Sequence, residues 1–254
     1  MPASDVLRLA TAYATRMTDR QFFSHLTAAA LHGMRLPEQA HPGSPIHVST
    51  SPGTRSPRLR GVTGHESDRT PVTLENGLRL TSPIDTWCEL AATLRIDDLV
   101  IMGDGLVSRT APQATLEQLA VAVRDRRGRR GVRKLRVALD LVRPRTDSAM
   151  ETIVRLLIVR ADLPEPSINQ AIFNSSGAQI ATGDMAYPAY RVLLEYDGAQ
   201  HRLDEDQYNW DIDRLDAIMA EGWRVLRINK SHLRAPFQLA DRIRTALSRA
   251  GWRP

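Results

Sequence analysis

Cysteine is almost absent from this 254-residue chain. The lone Cys88 excludes an internal disulfide framework, and such sparing use suits a reducing compartment. Long apolar runs are missing too: no stretch approaches the roughly 18 consecutive apolar residues that a membrane-spanning helix requires. A secretory leader is not expected either. The opening MPASDVLRLATAYATRMTDR carries Asp and Arg where a leader needs an apolar core, so a cytoplasmic location is the expectation. Lysine is the third scarcity. Only Lys134 and Lys230 occur, so nearly all the positive charge is arginine, within a net charge of +5 and a pI of about 9.8. Such enrichment is what GC-rich coding produces, and whatever its origin a basic surface attracts phosphate polyanions.

What remains is an ordinary globular composition, 42% hydrophobic and 25% charged, long enough for one large domain or two modest ones. Cys88 sits in the apolar helical pattern TWCELAATL and reads as buried filler rather than as a nucleophile.

Three segments follow one another. Residues 1–80 begin with a helical stretch from Asp5 to Arg20 and a short helix, SHLTAAALHGM, which Ser24 or Thr27 can cap. A stretch rich in Pro, Gly and Ser follows, with short strands at Ile46–Ser49 and Leu59–Val62. In VTLENGLRLT two β-prone runs flank Asn76-Gly77, the pair best suited to a type I′ turn, which predicts a hairpin. Helices followed by a hairpin suggest a small winged-helix-like module. Residues 81–147 read as a helical connector: Ser82-Pro83 with Asp85 is a capped helix start, and apolar spacing runs through Leu94, from Leu99 to Val107, and from Thr115 to Arg126. The run RDRRGRRGVRKLR, Arg124 to Arg136, is a solvated surface or a phosphate-contacting loop. In the second case Arg129, Arg130, Arg133 and Lys134 are the candidate contacts, because guanidinium groups bind phosphate through paired hydrogen bonds.

Residues 148–254 have the clearest architecture. SAMETIVRLLIVRADLP is an amphipathic helix. Three β-like runs follow, Ser167 to Phe173, Ala178 to Ala186 and Tyr190 to Tyr196, then a polar helix from Gln207 to Glu221 that ends at Gly222. WRVLRIN is a fourth strand and PFQLADRIRTALSRAG a closing helix. The order α-β-β-β-α-β-α predicts an α/β fold, a mixed sheet with helices on both faces.

The acidic residues fall tellingly on those strands. Asp184 lies in the second, Glu195 near the end of the third, and Asp197 two residues on, sharing the face of Glu195. If the two strands form a hairpin, these carboxylates lie side by side. Carboxylates are costly to bury, and several together repel unless protons or a cation neutralise them. Oxygen donors alone suit Mg²⁺ or Mn²⁺, and no Cys or His pair stands at zinc spacing.

The pieces SAMETIVRLLI, GDMAYPAYRVLLEYDGAQHR, DIDR and GWRVLRIN resemble, in order and spacing, a bacterial family related to the very-short-patch repair endonucleases of the PD-(D/E)XK nuclease superfamily. The likeness covers about the last hundred residues. It implies a restriction-endonuclease-like domain in which Glu151 is the helix acid beside a metal, Asp184 the central metal-binding residue, and Glu195 and Asp197 the second acidic strand. It also implies that His201 assists proton transfer or contacts phosphate, with Arg202 beside it as a nucleic-acid contact. Asp211 and Arg214 match the family's D-x-x-R helix, and Trp223 and Arg227 its following strand; for Arg155, Asp211 and Trp223 packing or ion pairing is the preferred role. Two departures stand out. The superfamily proline before the strand Asp is Gly183, and its lysine is missing from Glu195-Tyr196-Asp197, a duty that a histidine takes over in the repair branch. FSHLTAAALHGMRLP and LTSPIDTWCELA are similar, more loosely, to antitoxin-like modules of the abortive-infection type.

Two functions are therefore expected. One is a Mg²⁺- or Mn²⁺-dependent DNA endonuclease that hydrolyses phosphodiesters with Glu151, Asp184, Glu195, Asp197 and His201. The other is a DNA-binding regulator or antitoxin-like protein, with a toxin as partner, that keeps the nuclease fold as an inactive platform.

Overall fold

The computed structural model describes residues 3–36, 45–197 and 205–254; the side chains of residues 3, 4 and 205–212 are outside that description. The chain forms two compact units, Met1–Pro144 and Arg145–Pro254. Of the helical connector expected at 81–147, residues 81–144 lie in the same unit as the segment before it.

The first unit has more sheet than a small winged-helix module. Its elements are α1 (Ala3–Ala14), β1 (Gln21–Phe23), α2 (His25–Leu31), β2 (Ile46–Thr50), β3 (Val62–Glu66), β4 (Val72–Thr73) and β5 (Arg79–Leu80), followed by α3 (Pro83–Leu90), α4 (Ile96–Leu106), α5 (Leu116–Asp125) and α6 (Val132–Leu141). The described strands make one mixed sheet in the order β3-β2-β1-β5-β4. β1 was not foreseen, since QFF is too short to show a period; its Phe22 and Phe23 are fully buried. The strand expected at Leu59–Val62 begins at Val62, and Leu59 makes only an isolated bridge. The hairpin is present, but its turn is not type I′. Leu74 and Leu78 bracket a three-residue loop in which Gly77 alone takes a positive φ, +81°, leaving Asn76 in ordinary geometry. That is the alternative hairpin in which glycine closes a bulge.

Two helix starts in this unit are set by side-chain caps, whereas Ser24, expected to cap α2, stands at its N-cap without a side-chain bond. Ser82 Oγ accepts the Asp85 N–H, and Thr115 and Gln118 form a reciprocal capping box. Trp87, wholly buried, donates its indole N–H to the Leu99 carbonyl at 2.8 Å and so ties α3 to α4. The basic run is not one loop, since its second half is α6. Arg129 is ion-paired to Asp68 at 2.6 Å and Lys134 donates to the Leu94 carbonyl at 2.8 Å, while Arg130 and Arg133 are exposed.

In the second unit α7 (Ala149–Arg160) precedes β6 (Ser167–Phe173), β7 (Gln179–Tyr187), β8 (Val192–Tyr196), α8 (Glu205–Ala220), β9 (Arg224–Ile228) and α9 (Pro236–Arg249). The sheet order is β6-β7-β8-β9, antiparallel except for the parallel pair β8 and β9. Alternation along β8 divides the core. Val192 and Leu194 join Val154 and Ile158 of α7 and Leu239, Ile243 and Leu247 of α9, whereas Leu193 joins Ile218 of α8. This is an α/β unit with helices on both faces of a mixed sheet.

The two glycines of the basic run differ in what surrounds them. Gly128 and Gly131 both adopt positive φ, +84° and +86°, yet a Cβ at 128 meets nothing, whereas one at 131 comes within 2.6 Å of the Ala91 carbonyl carbon. Gly128→Ala is expected to cost about 1–2 kcal/mol, the left-handed penalty alone, and Gly131→Ala distinctly more. Urea unfolding of the two variants measures the difference, and equal midpoint shifts would show that the Ala91 backbone yields freely.

Candidate active site

The site is built where the sheet of the second unit comes apart. The ladder between β7 and β8 runs from Tyr187 opposite Val192 to Met185 opposite Leu194 and stops. One step further would set Asp184 opposite Glu195. β8 instead continues along β9 alone, to Tyr196 opposite Ile228. The backbone N–H of Tyr196, which this divergence would orphan, donates to Asp184 Oδ2 at 2.8 Å. A side-chain carboxylate therefore takes the place of a main-chain carbonyl at the fork.

The other edge of β7 is irregular at the same level. Pairing with β6 runs through Gln170–Gly183 and Ile168–Met185 but skips Asn169, which has a φ of +46°. Asparagine tolerates that conformation better than most residues. Its side chain donates to the Arg145 carbonyl at 2.6 Å and to Glu151 Oε2 at 3.2 Å. Glu151 stands in the first turn of α7, where Ser148 Oγ caps its N–H at 3.1 Å, and its Oε2 also accepts the Asp147 N–H at 3.0 Å. The helix start thus fixes the acid, and the acid in turn satisfies the helix start.

Glu195 is buried and faces Arg214 of α8, with 3.1 Å from Nη2 to Oε2 and 3.5 Å from Nη1 to Oε1. Gly183 makes room for this arrangement. A Cβ there would lie 2.3 Å from Leu193 Cδ1 and 3.4 Å from Glu195 Oε1, so proline at this position would displace Leu193. Asp197 leaves the strand end with its N–H on the Ile228 carbonyl, 2.6 Å, and its carboxylate on Arg227 at 2.8 Å.

These placements make the charge balance uneven. Burial, then the Glu195 carboxylate, then Glu151 push Asp184 up to about 7, against the opposing pull of the Tyr196 N–H and Arg214. Asp184 therefore senses both Glu195 and Glu151, while Asp197 is held by Arg227 at the strand end. Three of these carboxylates do not place oxygens within 4.8 Å of one another among the described residues. His201 and Arg202 lie outside the described residues, as does the side chain of Asp211. Trp223 packs against the Leu193–Ile218 cluster, and Arg155, fully buried, pairs with Glu165 at 3.1 Å. Of the candidate phosphate contacts, Arg129 and Lys134 are engaged within the first unit, and Arg130 and Arg133 face solvent.

Sequence reasoning missed a second constellation. His25, His47 and His65 of the first unit bring ligand nitrogens within 4.8 Å of one another. They stand on three elements with no helical spacing between them, so no local motif marks them. It also missed Asn169, whose role depends on a single backbone irregularity.

Asp184 makes a testable contribution to stability. In the unfolded chain its carboxyl holds a proton up to about pH 4, in the folded protein up to about pH 7. The stability it lends is complete below the first value and is lost as pH rises through the second. With chelator present, unfolding free energy should fall less between these limits in Asp184→Asn than in wild type. Identical slopes would show that the carboxyl ionises as freely folded as unfolded.

No protein-family model matches the chain. It is similar to two Mycobacterium tuberculosis proteins, "Uncharacterized protein MT2308" of strain CDC 1551 / Oshkosh and "Uncharacterized protein Rv2248" of strain ATCC 25618 / H37Rv. Each is 29% identical over 226 residues, which cover 88% of this chain and 80% of the relative.

Proposed function

We propose that the second unit is a metal-dependent DNA endonuclease of the restriction-endonuclease-like type, resembling the very-short-patch repair enzymes. The observation that carries this reading is the half-buried Asp184 at the strand fork, bonded to the Tyr196 N–H and within electrostatic reach of Glu195 and Glu151. A carboxyl that keeps a proton up to about pH 7 is one whose surroundings favour added positive charge, and a divalent cation supplies it. The donor set fits Mg²⁺ or Mn²⁺: all oxygen, and Mg²⁺ needs only one or two carboxylates because it keeps several waters. Asp184 and Glu195 would hold the ion, with Glu151 and Asp197 as further acids. When bound, the metal would polarise a phosphate and acidify water.

The chain's own groups supply the rest. Arg214 neutralises Glu195 so that two acids can share a buried strand end. The half-exposed Arg227 presents a guanidinium beside Asp197, suited to a phosphate oxygen. His201 would give or take a proton, and Arg202, with Arg130 and Arg133, would contact backbone phosphates.

A second reading has its own observation. Glu195 and Asp197 each already have an arginine counter-charge, and the superfamily lysine is missing. A DNA-binding regulator or antitoxin-like protein with an inactive nuclease fold would look the same at these two residues.

Supercoiled and mismatched duplex DNA incubated with Mg²⁺ or Mn²⁺ separates the two. The nuclease reading expects cleavage by wild type and none by Asp184→Asn or Glu195→Gln. His201→Ala should slow it by about 10²–10⁴-fold, the usual worth of general acid–base help. Mg²⁺ or Mn²⁺ should raise the melting temperature of wild type more than that of Asp184→Asn, since a ligand of the native state stabilises it. No cleavage together with no metal-dependent shift leaves the regulator reading standing.

For DNA binding, log K should fall by about 0.9 per phosphate neutralised for each tenfold rise in salt. Arg130→Ala with Arg133→Ala should flatten that slope, and an unchanged slope returns both residues to solvent.

A further inference from the structure

The first unit carries a cluster that the nuclease reading does not use. β2 and β3 are parallel neighbours in which His47 opposes Thr63 and His65 opposes Ser49, so both histidines project from one face two residues apart in register. Their rings meet, His47 Nδ1 to His65 Nε2, at 2.9 Å. His25 comes from a different direction. It is the first residue of α2, separated from the end of β1 by Ser24 alone, with a φ of +50°. A non-glycine residue rarely enters that region, and where it does the surroundings over-determine the backbone. The result is that its ring lies 3.8 Å from that of His65, centroid to centroid.

Around the rings stands a hydrogen-bonding shell. His25 Nδ1 is 3.0 Å from Ser24 Oγ and 3.6 Å from Glu89 Oε2, so its Nε2 is the nitrogen left for another partner. Glu89, a buried carboxylate of α3, accepts the His25 N–H at 3.3 Å and the Ser67 hydroxyl at 3.3 Å. Ser24, in turn, donates its N–H to the His47 carbonyl at 3.1 Å. Three imidazoles from three elements, with a buried carboxylate oriented on one of them, form the arrangement found where a histidine ligand is held by an outer acceptor.

We propose that His25, His47 and His65 form a transition-metal site, with Glu89 as the carboxylate that orients His25 and Zn²⁺ as the metal best matched to it. Imidazole donors suit Zn²⁺, Cu²⁺ and Ni²⁺ and are poor for Mg²⁺, so this site and the acidic fork select different ions. Three histidines leave a fourth position of a tetrahedral zinc open, for water or a substrate oxygen. Half-buried and close to one another, the rings are neutral at physiological pH, which is the ligating form. The metal replaces the His47–His65 hydrogen bond, and the rings, which now lie within 20° of parallel, turn so that their lone pairs converge.

The test uses the full chain, stripped with chelator and titrated with Zn²⁺ against a chromophoric competitor. One equivalent should bind per chain, Mg²⁺ should not compete, and Asp184→Asn should bind as wild type does. His47→Gln and His65→Gln, which keep a polar group of similar size, should lose at least a hundredfold in affinity, and Glu89→Gln should lose about 10–100-fold. Co²⁺ added to wild type should give the intense visible bands of a four-coordinate nitrogen site, a readout that needs no variant to fold. The proposal is overturned if wild type binds no stoichiometric Zn²⁺. It is equally overturned if the two histidine variants bind as wild type, or if Zn²⁺ binding disappears in Asp184→Asn instead.

Discussion

Negative charge taken out of water is the constraint around which the second unit is arranged. The Tyr196 N–H reaching Asp184 at 2.8 Å shows how it is met. A sheet strand that stops pairing leaves main-chain donors behind, and each buried orphan costs on the order of 1–3 kcal/mol. Here the donor and the acid satisfy each other, so the fork between β7 and β8 and the placement of Asp184 are one feature. The bend at Asn169 on the opposite edge of β7 does the same for Glu151. Asp184 is held by the Tyr196 N–H, and Glu151 by the Asp147 N–H and the short Asn169 side chain, so no long, mobile side chain is needed to fix either acid.

Arginine supplies the other half of the balance. Glu195 and Asp197 face Arg214 and Arg227, and the planar guanidinium can span both oxygens of a carboxylate while remaining charged at any working pH. Breaking the largely buried Glu195–Arg214 pair from one side is costly because it leaves the second charge alone. The arginines therefore limit how negative the fork becomes, while burial and the neighbouring carboxylates push Asp184 up to about 7. Whether a metal or only these arginines complete the site is the chemical difference between an enzyme and a platform.

The first unit solves a different problem with different donors. Its histidines gather at the sheet end because β2 and β3 run parallel in a register that offsets His47 from His65, and because the chain turns sharply at His25 to enter α2. One protein thus presents an all-oxygen constellation in one unit and an all-nitrogen one in the other. The two donor sets differ in hardness: carboxylates favour hard, hydrated ions and imidazoles favour borderline ones.

Local chemistry was legible from the chain. Ser82 marks a helix start because a short polar side chain satisfies nearby N–H groups wherever the helix ends up. The order of elements in residues 148–254 was readable because amphipathic period and alternation report on burial locally. Asp184, Glu195 and Asp197 stood out because carboxylates are out of place on apolar strands. Tertiary structure decided everything that depends on distant pairing. It placed β1 in a five-stranded sheet and gave Gly77 rather than Asn76-Gly77 the left-handed turn. It turned half of the basic run into α6, engaged Arg129 and Lys134 within the first unit, set arginines against two of the acids, and assembled three histidines from residues 25, 47 and 65. Periodicity and capping act over a few residues, whereas register, strand divergence and ring contacts are fixed by packing between segments far apart in the chain.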